Sequence, residues 1–240
     1  MLNVKQAIGS AKEFLMGCRD EDHLWRDFEI RNYGTSVDWV SSYVGLSLNQ
    51  SKAPKEYLQE TAKVLLARKT PLVNGWGFDE KVVPDADSTS FAILFLSKCG
   101  YEAELKSARD FLLQHQTEEG SFRTYLPNLI KPFLKKGITE EGWCSGVADI
   151  TATALQALRR NVRASQYLTK SIEREGFWRS YWYTHDIYAT TQSILALKKI
   201  KSAKEQVTMA EHWFMMQEIP NIPFYIALSI LGNNTSILTT

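Results

Sequence analysis

Apolar residues recur along this chain at the three- and four-residue spacing of α-helices, and the β-branched alternation typical of strands is missing. A two-part unit repeats within this pattern. The second part starts with an acid and continues as a uniformly apolar stretch, as it does from Asp38, Asp87, Asp149 and Asp186. The stretch PFYIALSIL from Pro223 lacks the acid. The first part is amphipathic, with a small residue before bulky apolar positions, as in SAKEFLMGC (10–18), TAKVLLARK (61–69), SARDFLLQH (107–115), SQYLTKSIE (165–173) and MAEHWFMMQ (209–217).

Alternation of the two parts predicts an all-α protein. Repeats of roughly 40–60 residues are typical of stacked helical pairs, in which each pair buries its apolar face on the next. The first helix of each pair is patterned for one solvated face, and the second is patterned for burial nearly all round. We therefore expect an α/α toroid (barrel) of about five or six helical pairs, formed by residues 1–240 as a single domain. An open superhelical solenoid is the alternative.

Composition narrows the class of protein. The chain has 44% hydrophobic and 23% charged residues and a net charge of +1, as expected of a globular protein in the cytoplasm. No basic stripe with interleaved aromatics is present, which argues against nucleic acid as a partner. Cys18, Cys99 and Cys144 are scattered and predict free thiols. The N-terminus lacks a signal-peptide pattern, and the longest apolar runs are too short to cross a bilayer.

The acids at the starts of the apolar stretches have a simple structural interpretation. An Asp at a helix N-cap accepts a backbone N–H, so we expect Asp38, Asp149 and Asp186 to be N-caps. Asp87 differs because Asp85 can serve as the cap, which leaves Asp87 in the first turn. Two close carboxylates in apolar surroundings raise one pKa, although the helix dipole opposes this. The pair therefore permits a Brønsted acid that gives its proton to a substrate.

The loop GWGFDEKVVPDADST (75–89) resembles the catalytic region of class II terpene cyclases, the squalene–hopene and oxidosqualene cyclase group. Asp85-Ala86-Asp87-Ser88-Thr89 is similar to their Asp-x-Asp-Asp-Thr motif, which also follows a glycine–aromatic loop and a proline. Ser88 departs from the bacterial enzymes, which carry a further carboxylate there. QTEEGSF (116–122) resembles their Gln-x-x-x-Gly-x-Trp repeat, with Phe122 in place of Trp.

The resemblance implies a proton-initiated cyclase of isomerase or lyase type, acting on a linear polyprenyl chain in an aromatic-lined cavity. Asp87 would protonate an alkene or epoxide, Asp85 would tune it, and Trp76 would be a cavity aromatic. Class II cyclases usually have two barrels with the cavity between them. These 240 residues supply only the barrel that carries the acid, so its own cavity would have to suffice, or a homodimer or second chain would close it.

Aromatic faces stabilise a moving positive charge without capturing it. Their alternative role is packing between helices. His185 is also a candidate proton-relay partner, because it directly precedes Asp186. The substrate-binding candidates are Trp39, Trp76, Phe78, Ser88, Phe91, Trp143, Phe177, Trp178, Trp182, Tyr183, His185 and Tyr188.

We expect an isoprenoid small molecule as partner and no cofactor, with Mg²⁺ only if the substrate carries a diphosphate. The related protein prenyltransferase β subunits bind zinc in the same toroid through Asp, Cys and His, but here Cys144 with His185 makes an incomplete ligand set. The segment NLIKPFLKKGITEE (128–141) is either a solvated loop or a lid that meets a diphosphate head group or a membrane surface.

Two other functions stay open. The first is a non-catalytic toroid that binds a prenyl group or a partner. The second is a glycan-acting α/α-barrel enzyme with paired carboxylates. A sugar enzyme would need a second acid across the cavity, for which Asp38, Asp149 and Asp186 are the candidates.

Overall fold

A computed structural model describes residues 4–30, 34–220 and 227–228, and most regular structure in this part is helical. Two short antiparallel ladders pair β1 (Glu29–Ile30) with β2 (Gly34–Thr35) and β3 (Phe122–Arg123) with β4 (Gly146–Val147). The predicted stretch from Pro223 lies almost wholly outside the described residues. Within them the α-helices are α1 (Val4–Gly17), α2 (Asp38–Gln50), α3 (Lys55–Ala67), α4 (Ala86–Lys98), α5 (Lys106–Gln114), α6 (Pro127–Ile130), α7 (Ala148–Leu158), α8 (Val162–Lys170), α9 (Ile187–Leu197) and α10 (Lys204–Met216).

The predicted alternation of half-exposed and buried helices is confirmed. Helix α3 buries Leu58, Thr61, Ala62 and Leu65, which form a single stripe. Helices α5, α8 and α10 likewise bury one face. Helices α4, α7 and α9 are buried along most of their length. In the described residues, no helix is long and apolar enough to cross a membrane.

The chain forms two compact units. The first unit consists of residues 1–114 and 125–138, and in it α2 packs on α4 while α1, α3 and α5 pack against this pair. The second unit consists of residues 115–124 and 139–240, and in it α7 packs on α9, with α8 and α10 alongside. The single domain expected over residues 1–240 stays a prediction.

A hydroxyl side chain on each buried helix holds the aromatic residue of the preceding loop. Thr89 Oγ1 accepts the backbone N–H of Trp76 at 3.0 Å and donates to the carbonyl of Trp76 at 3.1 Å. The indole N–H of Trp76 donates at 2.7 Å to the carbonyl of Leu65 at the end of α3. These bonds tie the end of one helix, the loop and the next helix together.

The same arrangement recurs along the chain. Phe122 keeps the backbone bond, to Thr151 Oγ1, but has no indole N–H to donate. Trp25 makes the complete arrangement: its backbone pairs with the Ser41 hydroxyl, and its indole N–H donates to the carbonyl of Leu15. Trp178 makes it in the same way with the Thr190 hydroxyl and the carbonyl of Leu168. The hydroxyl residue therefore sets a common register for the four buried helices.

This register corrects the predicted caps. The N-cap residue lies four positions before the hydroxyl residue in every repeat, at Val37, Asp85, Val147 and Asp186. The cap prediction is therefore wrong for Asp38 and Asp149, which lie inside the first turn. Asp186 occupies the N-cap position, but its carboxylate accepts the N–H of Ser180 at 2.8 Å and makes no capping bond. The predicted start points of the helices are nevertheless confirmed.

Asp38 is engaged in an ion pair rather than a cap. Its carboxylate is 1% exposed and accepts from Arg68 Nε, while Arg68 also pairs with Glu80. Burial raises the pKa of the Asp38 carboxyl to about 6, and the Arg68 charge opposes the rise. The guanidinium thus compensates a carboxylate that the helix has removed from water.

Candidate active site

Asp85 closes the N-terminus of α4. Its backbone is extended (φ −127°, ψ 165°), and its Oδ1 accepts the N–H of Ser88 at 2.7 Å. The Ser88 hydroxyl donates to Oδ2 of the same carboxylate, also at 2.7 Å. Ser88 therefore places a neutral hydroxyl donor against Asp85.

Burial makes Asp85 a weak acid. Its side chain is 3% exposed, and desolvation raises the pKa of the Asp85 carboxyl to about 7. The bonds from Ser88 lower the pKa, and the charge of Asp87 raises it. The Asp85 carboxyl is therefore partly protonated near neutral pH.

Asp87 lies in the first turn of α4, next to Trp39, which belongs to a group of three aromatic rings. The indole Nε1–H of Trp39 on α2 donates to Asp87 Oδ2 at 2.8 Å. Trp39 stacks on Tyr43, with ring centroids 5.3 Å apart and planes at 15°. Phe91, one turn beyond Asp87, meets Trp39 edge-on at 5.6 Å and Tyr43 at 5.1 Å. We call Trp39, Tyr43 and Phe91 the aromatic triad.

Two tyrosines lie within electrostatic range of the acids. Burial raises the pKa of Tyr43 to about 12, and the charge of Asp87 contributes. Burial also raises the pKa of Tyr125 well above its usual range, with contributions from Asp85 and Asp87. Both phenols therefore stay protonated.

We expect Asp85→Asn to weaken the pH dependence of stability. An acid with a higher pKa in the folded than in the unfolded chain binds more protons when folded, so Asp85 lowers stability as pH rises from 3.8 to about 7. Asn caps a helix about as well as Asp. As pH rises from 3.8 to about 7, the difference in stability should shift by up to about 4 kcal/mol in favour of the variant. Denaturant unfolding across this pH range measures the free energy of unfolding of both proteins. If its slope against pH is the same in the variant and in wild type, Asp85 ionises normally.

Asp149 occupies the position of Asp87 in the second unit, two residues before the hydroxyl residue Thr151. The Asp149 carboxylate is 0% exposed. It accepts the backbone N–H groups of Tyr181 at 2.9 Å, Trp182 at 3.3 Å and Ile150 at 3.0 Å. Burial raises the pKa of the Asp149 carboxyl, and these three donors oppose the rise. Asp149 therefore anchors the loop before α9 to the start of α7.

The anchored loop carries partly exposed aromatic rings. Trp182 is 41% exposed, its indole N–H donates to Thr124 Oγ1 at 2.8 Å, and its ring lies 6.0 Å from that of Trp143. Tyr183 stacks on the buried Tyr188 at 4.1 Å. These four predicted residues thus form two ring pairs in the second unit.

Of the other predicted site residues, Trp76 and Trp178 pack within the fold and His185 is exposed. Trp76 and Trp178 are 0% exposed, and their indole N–H groups are bonded to the ends of α3 and α8. The backbone carbonyl of Phe78 accepts the N–H groups of Val37 and Asp38 at the start of α2. Phe177 stacks on Trp213 of α10 at 5.4 Å, and His185 is exposed beside the start of α9.

Tyr43 and Tyr125 were not predicted as site residues. Tyr43 follows Trp39 by four residues on one helix, so helical spacing alone places both on one face. Tyr125 gives no such signal, because it follows β3 in an irregular segment. In the lysine-bearing segment, Lys131, Lys135 and Lys136 are exposed, as is Phe133 at 50%.

Across the described ranges, no group of three or more His, Cys, Asp or Glu side chains is arranged to hold a metal ion. Within the described residues, Cys18, Cys99 and Cys144 form no disulfide.

No family model matches this sequence, and no curated protein matches it. Solved structures do match its fold. A crystal structure of a protein from Actinoplanes, 23% identical, superposes with a TM-score of 0.86 over 95% of this chain and 73% of its own. Apo type II terpene cyclase MstE from Scytonema is 22% identical and superposes with a TM-score of 0.84 over 94% of this chain and 72% of its own. An MstE variant in complex with geranylgeranyl dihydroxybenzoate, its substrate, is 21% identical. It superposes with a TM-score of 0.88 over 94% of this chain and 70% of its own.

The fold is that of a type II terpene cyclase. The terpene cyclase fold implied by the Asp-x-Asp loop is thereby confirmed, as is the all-α class.

Proposed function

We propose that this chain is a proton-initiated terpene cyclase in which Asp87 is the acid and a linear polyprenyl chain is the substrate. The observation that carries the proposal is the first turn of α4. There Asp87 lies beside the aromatic triad and two residues from Asp85, whose buried carboxyl has a pKa of about 7. An acid and aromatic faces are the two things that carbocation chemistry requires.

The proposed step is a proton transfer. The Asp87 O–H bond breaks, its electron pair stays on the carboxylate, and the π pair of the substrate forms a new C–H bond. The indole N–H of Trp39 and the positive end of α4 stabilise the carboxylate left behind. The ring faces of the aromatic triad stabilise the cation, which is quenched when a proton is lost or water adds. The step uses only side chains of this chain, and Mg²⁺ would enter only with a diphosphate substrate.

The solved structures with a similar fold support a prenyl substrate for this chain. MstE has been captured with geranylgeranyl dihydroxybenzoate as substrate and with merosterolic acid A as product. Both complexes were obtained with variants that replace an aspartate, by Asn and by Ala respectively. We therefore propose an isoprenoid that carries a polar or aromatic head group as the first class to test.

The test is incubation of the purified chain with linear isoprenoids of sesquiterpenoid to triterpenoid length. Each length is offered with a free, epoxide, diphosphate or dihydroxybenzoate end, and the diphosphates are tested with and without Mg²⁺. We expect a cyclic product that is isomeric with its substrate if a proton is lost, or a hydrate of it if water adds. In deuterated water the product should gain one deuterium at the carbon that is protonated first. Binding without conversion would instead support the non-catalytic prenyl-binding alternative, and conversion without deuterium would exclude Asp87 as the initiator.

A further inference from the structure

The indole N–H of Trp39 is held rigidly against Asp87. Trp39 lies in the first turn of α2, and Asp87 lies in the first turn of α4, the helix on which α2 packs. The Trp39 ring is fixed on one side by the stack with Tyr43 and on another by the edge of Phe91. The N–H to Oδ2 distance is 2.8 Å. A side chain clamped in this way presents its donor at one angle, with little rotational freedom to lose.

The repeat register explains why the two residues meet. Trp39 and Asp87 each lie two positions before the hydroxyl residue of their own helix, Ser41 and Thr89. Equivalent positions on two packed helices of a repeat lie side by side. Asp149 has the same register in the second unit, where backbone N–H groups serve as its donors. In the first unit, the side chain of Trp39 donates to Asp87.

We propose that Trp39 is a positioning residue that directs the acidic proton of Asp87 to the substrate, an inference that rests on the proposed function. An indole N–H can only donate. It pairs best with the carbonyl oxygen of a carboxylic acid, so donation to Oδ2 places the acidic proton on Oδ1. When that proton leaves with the new C–H bond, the same N–H becomes a charge-assisted donor to the carboxylate. Trp39 therefore sets the direction of transfer and stabilises its product.

Trp39→Phe tests this role. Phenylalanine keeps a ring between Tyr43 and Phe91 but has no N–H. A hydrogen bond to a charged group that forms fully only after proton transfer favours kcat, so we expect kcat to fall roughly 10- to 100-fold while KM changes less than about twofold. A rise in KM with kcat unchanged would show that Trp39 is only a binding surface and would overturn the inference.

A spectroscopic readout needs no turnover. If Asp87 is protonated, its infrared C=O band is identified by its absence in Asp87→Asn, and a wild type that shows no such band would overturn the inference. In Trp39→Phe we expect this band at higher wavenumber and persisting to higher pH, because both the carbonyl and the anion have lost a donor. A band unchanged in position and titration would overturn the inference. If the wild type cyclises no isoprenoid, the proposed function fails, and this measurement still decides whether Trp39 controls the acid.

The matched control is Trp213→Phe. Trp213 stacks on Phe177 in the second unit, so this variant makes the same change of ring without touching the acids. It should leave kcat, KM and the infrared band unchanged. If Trp39→Phe unfolds, 3-benzothienylalanine at position 39, introduced by codon suppression, keeps the bicyclic shape and removes only the N–H. We expect the same fall in kcat and the same shift of the infrared band as in Trp39→Phe. A wild-type kcat and band in this protein would overturn the inference.

Discussion

Asp87→Asn is expected to abolish cyclisation and to leave the protein folded. General acid catalysis typically contributes about 10²–10⁴-fold to a rate, and here protonation starts the whole reaction. The amide is nearly isosteric with the carboxyl, and its oxygen can still accept the indole N–H of Trp39. The helix cap is untouched, because Asp85 provides it.

Product formation by mass spectrometry and the melting temperature, measured on the same preparation, test this prediction. Asp85→Asn is the informative comparison, since it alters the surroundings of Asp87 but leaves the Asp87 carboxyl in place, and it should lower the rate less. Asp110→Asn, an exposed acid on α5, controls for the loss of a carboxylate and should behave as wild type. Full activity of Asp87→Asn on a confirmed substrate would place the acid elsewhere. A large fall in its melting temperature would show that Asp87 is structural.

The largest effect on stability is expected from Asp149→Ala, which should lower the free energy of unfolding by about 3–5 kcal/mol. The reason is the number of donors that lose their acceptor. Three backbone N–H groups, those of Ile150, Tyr181 and Trp182, donate to this buried carboxylate. Each buried donor left unsatisfied costs about 1–3 kcal/mol.

Two variants calibrate the loss. Asp149→Asn keeps one acceptor oxygen for the N–H groups of Tyr181 and Trp182, so it should cost only about 1–2 kcal/mol. Asp186→Ala removes a half-exposed carboxylate that accepts a single N–H, from Ser180 in the same loop, and should cost about 1 kcal/mol. Denaturant unfolding gives all three values. If Asp149→Ala costs no more than Asp186→Ala, the carboxylate does not anchor the loop.

Asp87 and Asp149 show how one repeat position serves two roles. Both lie in the first turn of a buried helix, two residues before a hydroxyl that accepts the backbone N–H of an aromatic residue, Trp76 or Phe122. Asp149 accepts three backbone N–H groups and binds the loop in place. Asp87 accepts a side-chain donor and lies among aromatic rings. The neighbours of each carboxylate, and not its position in the repeat, separate a structural acid from a proposed catalytic one.

The sequence by itself determined the features that depend on local spacing. Helical periodicity and burial pattern predicted the alternation of the helices, because both follow from which face of a helix is apolar. The cap at Asp85 was predicted as well, since a capping bond joins residues only three apart, here Asp85 and Ser88. The Asp-x-Asp loop indicated the fold through its resemblance.

Only the tertiary structure decided which partner each polar or aromatic side chain meets. Asp38 and Asp149 have the sequence signature of caps, yet one pairs with Arg68, 30 residues away, and the other with Tyr181, 32 residues away. Trp39 meets Asp87 across 48 residues. Likewise, the Gly–aromatic pattern in the sequence does not show that the indole N–H of Trp76 donates to the Leu65 carbonyl in α3, or that its ring is buried in the fold. Such pairings arise when helices distant in sequence pack together, and a carboxylate removed from water takes whichever donor that packing brings to it.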